Sequence, residues 1–130
     1  MSPELVEIVG YDGPGYKAIV YFEGWRVAFL NDDPIRFRKE TMPYMERHNA
    51  TDEVFVLMEG ECTLYIGDGG AEGPGNITKL EMEKGKMFNI KAGVWHNLTG
   101  NEEMKLLIVE NSDTSKQNSD FFPVTADMLP

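Results

Sequence analysis

Short runs of β-branched and aromatic residues recur along almost the whole chain, and most of the segments between them contain glycine. They occupy residues 5–9, 16–23, 25–31, 52–58, 61–66, 77–83, 87–90 and 104–110. Runs of this length and composition, bounded by glycine, proline and asparagine, are typical of β-strands rather than helices. With a strand that carries Glu46 and His48 added to these eight runs, about nine short strands with no helical period predict an all-β fold, either a barrel or a jelly roll.

The predicted strand over residues 52–58 has apolar side chains on both faces, as in the central strand of a two-layer sandwich. Glu53 begins this strand on the same face as Phe55 and Leu57. A carboxylate is costly to bury without a partner. The candidates for that partner are a metal ion and the arginines Arg36, Arg38 and Arg47.

The length of 130 residues predicts one domain with a single core, extending over residues 1–130. The polar segment 112–120 is typical of irregular coil, and the apolar residues 121–124 are expected to hold the C-terminus against the body of the protein. We therefore expect residues 111–130 to form a coil that packs on the barrel.

The charge of the chain limits its partners. With 22 acidic and 12 basic residues the net charge is -10, which repels phosphate backbones and anionic membrane surfaces, so we expect neither nucleic acid nor membrane as a partner. The lone Cys62 cannot form an internal disulfide and lies in an apolar run, which is typical of inert core. The first residues lack the basic start and apolar centre of a signal peptide, so a cytoplasmic protein is expected.

The only two histidines, His48 and His96, each lie among residues expected around a metal ligand. Glu46 and His48 are two residues apart, so on one strand they point to the same face. Glu53 follows after a short break, and His96 follows a predicted tight turn at Gly93. Two carboxylates and two imidazoles suit a divalent transition metal, with zinc, iron, manganese and nickel all open. A hydrogen-bonded core histidine is the alternative for His96 alone.

The segment 46–60 resembles the first motif of the cupin superfamily, in which His-x-His is followed by Glu and then by Gly. His48, Glu53 and Gly60 match it in register. The segment 85–100 resembles the second cupin motif through Gly85, Gly93 and His96. The resemblance implies a double-stranded β-helix, the jelly-roll barrel of cupins, with Glu46, His48, Glu53 and His96 as metal ligands. Glu46 stands where the first histidine of the motif belongs, and Lys91 replaces its proline.

The segments 46–48 (Glu-Arg-His) and 94–96 (Val-Trp-His) also resemble ureidoglycolate lyases, cupins that split ureidoglycolate into glyoxylate and urea. This likeness implies a metal-dependent lyase or isomerase acting on a small polar metabolite, with a ureidoglycolate-like hydroxy acid as the specific candidate. Glu46, Glu53 and Lys91 are then the catalytic candidates. In that function a carboxylate accepts the proton of the substrate hydroxyl. Lys91 either neutralises the substrate carboxylate at the barrel mouth or, as is more usual for a lysine before a turn, is exposed to solvent.

Two other functions are open at this point. The loss of the first histidine favours a non-catalytic cupin that binds a small ligand or is purely structural. An iron-dependent dioxygenase is the other, although Glu46 makes the site more anionic than such enzymes usually require.

Small cupins resemble one another in forming homodimers, and we expect pairing through edge strands at 5–9 and 16–23, whose apolar edge is otherwise open.

Overall fold

The computed structural model describes Ser2 and residues 4–130, and within that part of the chain ten strands form two five-stranded sheets. The first sheet contains, in spatial order, β1 (Gly15–Phe22), β2 (Trp25–Asn31), β9 (Lys105–Asn111), β4 (Glu53–Glu59) and β7 (Met87–Ile90). The second sheet contains β10 (Ser119–Pro123), β3 (Tyr44–His48), β8 (Trp95–Gly100), β5 (Cys62–Gly67) and β6 (Ile77–Glu81). Two single-turn 3-10 helices span Lys116–Asn118 and Ala126–Met128. The predicted all-β jelly roll is confirmed.

The core lies between the two sheets because their central strands alternate buried and less buried side chains. The buried members from the first sheet include Phe55, Leu57, Leu106 and Ile108, and those from the second include Cys62, Leu64 and Leu98. Each large apolar side chain buried in this way contributes roughly 1.5–3 kcal/mol relative to its exposed state. The apolar alternation of the sequence therefore determines which face of each sheet turns inward.

The predicted strand over residues 5–9 is wrong. Residues 6–10 have no regular secondary structure, and Leu5 and Ile8 are 77% and 88% exposed. A run of β-branched residues becomes a strand only where a neighbouring backbone accepts its hydrogen bonds, and none pairs with this segment in the described part of the chain. The first strand is β1, at the edge of its sheet. The homodimer contact expected at this edge stays a prediction.

The predicted coil over residues 112–120 is wrong at its end, because residues Ser119–Pro123 form β10. This strand pairs antiparallel with β3 and sets Ser119 opposite His48. The turn before it is held by Ser115, which accepts a hydrogen bond from the backbone of Gln117, and by the Asn118 side chain, which accepts one from the Ser115 backbone. Local composition misses β10 because its pairing partner lies far away in the sequence.

The strands β3, β4, β8 and β9 meet at one end of the space between the sheets. In β3 and β8, Glu46 pairs directly with His96. In β4 and β9, Val54 pairs with Val109, which sets Glu53 and Glu110 one step beyond that pair on the same side. The sequence pattern gives no residue range for β8, since polar residues interrupt its apolar alternation. No helix in the described chain has the length and apolar character needed to cross a membrane.

Candidate metal centre

The four predicted metal ligands come together at this end of the sandwich. Nε2 of His96 lies 2.9 Å from Oε1 of Glu53, and Nε2 of His48 lies 3.4 Å from the same oxygen. Oε1 of Glu46 lies 3.8 Å from Nε2 of His48. Two donor atoms bound to one zinc ion stand about 3–3.5 Å apart. The two separations at Glu53 lie within or below this range and the one at Glu46 lies slightly above it, so the four groups are close enough to share one ion.

The backbone near Gly93 joins the two segments that carry the histidines. Gly93 adopts a positive φ of 81°, which confirms the predicted turn, and its N–H donates to the carbonyl oxygen of His48 at 2.7 Å. The turn leads directly into β8 and thus fixes the position of His96 relative to β3. The carboxylate of Asp52 supports the same turn by accepting a hydrogen bond from the Ala92 N–H at 2.8 Å.

Hydrogen bonds at Nδ1 orient both imidazole rings. Nδ1 of His96 lies 2.9 Å from the carbonyl oxygen of Val94, which can only accept, so Nδ1 carries a proton and donates it. Nδ1 of His48 is hydrogen-bonded to the hydroxyl of Ser119 at 2.7 Å. In the neutral tautomer with a proton on Nδ1, the lone pair is on Nε2, which faces Glu53. Metal-binding histidines are commonly held in this way.

The electrostatics of the cluster favour a cation. Burial alone raises the pKa of Glu53, but hydrogen bonds with His48 and then His96 outweigh it and lower the pKa below its ordinary value. Burial lowers the pKa of each histidine, yet the hydrogen bond and charge of Glu53 raise it above its ordinary value. The buried Glu53 carboxylate thus requires positive charge between itself and the imidazoles, either a proton or a metal ion.

A fifth residue, Glu110, joins the cluster and was missed from the sequence. Its Oε1 accepts hydrogen bonds from the Tyr16 hydroxyl at 2.8 Å and from Nη2 of Arg26 at 2.7 Å. One ligand atom from each of His48, Glu53 and Glu110 lies within 4.8 Å of the others. The alternation in β9 was a usable signal, because Glu110 continues the buried face of Leu106 and Ile108.

The pKa of Glu110 is raised to about 7, first by burial and then by the neighbouring carboxylate of Glu53. Arg26 and Tyr16 act in the opposite direction by hydrogen bonding to the ionised form. Burial, followed by the charge of Glu110, raises the pKa of the Tyr16 hydroxyl well above its usual range. Tyr16 therefore stays protonated and serves as a hydrogen-bond donor to Glu110.

The cluster opens into a cavity of about 240 Å³. The polar residues lining it include Tyr16, Arg26, Arg36, Tyr44, Asn97, Thr114, Ser115 and Ser119, and the apolar ones include Leu30, Phe37, Phe55, Leu98, Ile108 and Phe121. A cavity of this size, lined by both polar and apolar side chains, suits a small polar metabolite.

Lys91, the third predicted catalytic residue, is not brought to this cavity. Its side chain is 73% exposed, and its Nζ lies 3.8 Å from Oδ2 of Asp52. It precedes the Gly93 turn, where its side chain extends into solvent. The cations that line the cavity are instead Arg26, which pairs with Glu110, and Arg36, whose Nη2 donates to the Tyr44 hydroxyl at 3.2 Å.

The donor set fits a divalent transition metal on chemical grounds. Two imidazole nitrogens and carboxylate oxygens are ligands that zinc, iron, manganese and nickel accept. The Oε2 atom of Glu110 is buried without a hydrogen-bond partner among the described residues, so it is a further carboxyl oxygen available to a cation. The cluster could therefore hold a metal ion.

Residues 35–110 match the family described as the cupin domain, which is more than half of the chain. The chain belongs to this family. The motif resemblance seen in the sequence is thereby confirmed for the cupin superfamily. The matched segment contains all five residues of the candidate metal centre.

Solved cupin structures share the fold at low sequence identity. A cupin-2 domain protein from Shewanella frigidimarina is 24% identical, with a TM-score of 0.50 over 78% of this chain and 84% of that one. The Streptomyces protein Pac13, described as a nucleoside dehydratase, is 8% identical, with a TM-score of 0.61 over 90% of this chain and 87% of that one. A TDP-quinovose 3,4-ketoisomerase from Campylobacter jejuni is 19% identical, with a TM-score of 0.57 over 80% and 73%. No curated protein sequence matches this cupin significantly.

Proposed function

We propose that this cupin is a metal-dependent enzyme, a lyase or isomerase, whose substrate is a small hydroxy acid. The observation that carries the proposal is the pair of imidazole Nε2 atoms directed at the Glu53 carboxylate, while both Nδ1 atoms have other hydrogen-bond partners. This arrangement supports zinc, iron, manganese or nickel as the ion.

In this proposal His48, His96 and Glu53 hold the ion, and Glu46 accepts a proton from the substrate. The Glu46 side chain is 28% exposed whereas that of Glu53 is 7% exposed, so a molecule entering the cavity meets Glu46 first. Burial raises the pKa of Glu46 above its ordinary value. A carboxylate with a raised pKa is a stronger general base.

A bound divalent ion supplies a Lewis acid that lowers the pKa of the substrate hydroxyl. Glu46 takes the hydroxyl proton, the O–H electron pair forms a carbonyl, and the bond from that carbon to the leaving nitrogen breaks. Glu46 then returns the proton to the leaving nitrogen. For a ureido-substituted hydroxy acid the products are an oxo acid and urea, and the Glu46 carboxylate is restored.

Arg36 supports an acidic substrate. Its guanidinium lines the cavity, and no carboxylate oxygen of the described residues lies within 4.0 Å of it. The planar guanidinium matches the geometry of a carboxylate. We therefore assign to Arg36 the role predicted for Lys91, that of binding the substrate carboxylate.

The likeness of segments 46–48 and 94–96 to ureidoglycolate lyases makes ureidoglycolate-like hydroxy acids the first compounds to test. The structural neighbours include a protein described as a dehydratase and one described as a ketoisomerase. Elimination and isomerisation are the two reaction classes proposed here, and the shared fold accommodates both.

The first experiment is elemental analysis of the purified, untagged protein beside the His96→Ala variant. We expect near-stoichiometric transition metal in the parent and its loss in the variant, because His96 supplies one of the two nitrogen ligands. Absence of metal in the parent, even after reconstitution with zinc, iron, manganese and nickel in turn, would overturn the metal-dependent function.

The second experiment measures turnover of ureidoglycolate and of unsubstituted 2-hydroxy acids by the metal-loaded protein. Glu46→Gln preserves the shape of the side chain but removes the base, so we expect kcat to fall by about 10²–10⁴-fold with the metal content unchanged. Arg36→Gln serves as the matched variant on the cavity wall, for which we expect a raised KM and a smaller change in kcat. Parental turnover in Glu46→Gln would refute its role as base.

A further inference from the structure

One oxygen of the Glu110 carboxyl group accepts hydrogen bonds, and the other has no hydrogen-bond partner among the described residues. Its Oε1 accepts hydrogen bonds from the Tyr16 hydroxyl and from Nη2 and Nε of Arg26, at 2.8, 2.7 and 3.2 Å. Its Oε2 is buried and has no hydrogen-bond partner in the described part of the chain. A buried carboxylate oxygen left unpaired is costly, so such an atom calls for an explanation.

From this tether we infer that Glu110 is a further ligand of the metal ion, an inference that rests on the metal centre of the proposed function. Oε1 held by Tyr16 and Arg26 leaves Oε2 as the atom available to the ion. Ligating carboxylates are typically hydrogen-bonded through their other oxygen in this way.

The positions of the candidate ligands support this assignment. His48, Glu53 and Glu110 are all buried and lie within the mutual distance of 4.8 Å that one ion can bridge. Glu46 belongs to a second such group with His48 and His96, but it is the only part-exposed residue among the five. The buried carboxylate of Glu110 is therefore less accessible to water and substrate than that of Glu46.

Charge leads to the same conclusion. Glu53 and Glu110 place two carboxylates side by side in a buried position, where like charges repel strongly. Arg26 lies on the Tyr16 side and pairs with Oε1 of Glu110, so it neutralises only one of the two. A divalent ion held by Glu53 and Glu110 would offset the repulsion. Coordination by Glu110 also leaves Glu46 free to accept the substrate proton.

The test compares metal affinities of the parent, Glu110→Gln and Tyr16→Phe by competition with a chelator. The glutamine still accepts the Tyr16 and Arg26 hydrogen bonds through its oxygen, but it places an amide nitrogen where Oε2 was. We expect Glu110→Gln to lose at least about tenfold in affinity, the low end for lost groups around a metal. Tyr16→Phe removes a tether and keeps Oε2, so its loss should be smaller.

A spectroscopic readout accompanies the affinity. Removing a ligand from the Co²⁺-loaded protein should change the visible absorption bands, which respond to coordination number, and Glu110→Gln should show this change whereas Tyr16→Phe should not. In the parent, metal addition should perturb the ultraviolet absorption of Tyr16, because coordination withdraws charge from the carboxylate that its hydroxyl contacts. That signal does not depend on how well a Glu110 variant folds.

The outcomes separate the two proposals. If the parent binds metal, and Glu110→Gln binds it with the same affinity and shows the same Co²⁺ spectrum, the ligand role of Glu110 is overturned and the proposed function is left intact. An ultraviolet absorption of Tyr16 that does not change when the parent binds metal would also overturn the ligand role of Glu110. A parent that binds none of the four metals would overturn both the inference and the metal-dependent function.

Discussion

The two ends of strands β4 and β9 are equally buried but chemically opposite. At one end Leu57 and Leu106 are 3% and 0% exposed and pack in the apolar core. At the other end Glu53 and Glu110 are each 5% exposed and lie beside His48. Because the strands are antiparallel, the first inward residue of β4 meets the last inward residue of β9. One carboxylate at the end of each strand therefore suffices to turn a stretch of core into a polar centre.

This difference teaches how the fold separates stability from function. The apolar end is held by contacts that many side chains share, so the stability lost with one side chain depends on the volume and apolar area that it filled. The polar end is held by a few directional contacts, in which each group depends on a specific partner. Substitutions at the two ends should consequently change different properties of the protein.

The largest effect is expected at the polar end, from His48→Ala. The imidazole supplies a donor atom to both groups of candidate metal ligands, so its removal should abolish metal binding. The sheets should remain folded, since the apolar core is untouched. Elemental analysis gives the metal content, and circular dichroism with chelator present gives the fold. Equal metal content in variant and parent would refute the proposed metal site.

The matched change at the apolar end is Leu106→Ala. Leu106 is fully buried between the sheets, so we expect the free energy of unfolding to fall by about 2–5 kcal/mol. Urea unfolding with chelator present measures this loss, and metal stoichiometry should stay that of the parent. A variant that lost its metal while still folded would contradict the separation between the two ends.

A smaller effect is expected from Ser119→Ala, which removes the hydroxyl bonded to Nδ1 of His48. The ring then loses the contact that orients its Nε2, and metal affinity should fall by about tenfold. Ser115→Ala is the control in the same segment, because its hydroxyl accepts a hydrogen bond from the Gln117 backbone and not from a histidine. Comparable losses in both variants would mean that the segment matters only as a whole.

The smallest change concerns Cys62, in the apolar core. Burial, and secondarily the charge of Glu81, raises the pKa of its thiol to about 12. At pH 8, below that pKa, the group remains a thiol and should not react with a thiol reagent in the folded protein. In denaturant the same reagent should modify one cysteine per chain. Rapid labelling of the folded protein would show that the core opens.

Much of the fold could be predicted because strand patterns are local. The alternation over residues 52–58 and 104–110 predicted β4 and β9, and the cupin motifs brought His48, Glu53 and His96 into one site. The same local reasoning produced a false strand at 5–9, whose residues have the composition of a strand but no neighbour. It missed β10, where the partner strand decides and composition does not.

The sequence by itself determined the all-β class, the inward faces of the central strands and the pairing of imidazoles with carboxylates, because these depend on side-chain type and on a period of two. Only the tertiary structure decided that Glu110 joins the centre, that Arg36 lines the cavity and that Lys91 points into solvent. Antiparallel pairing brings together residues that are distant in the sequence, and spacing along the chain does not encode such distances.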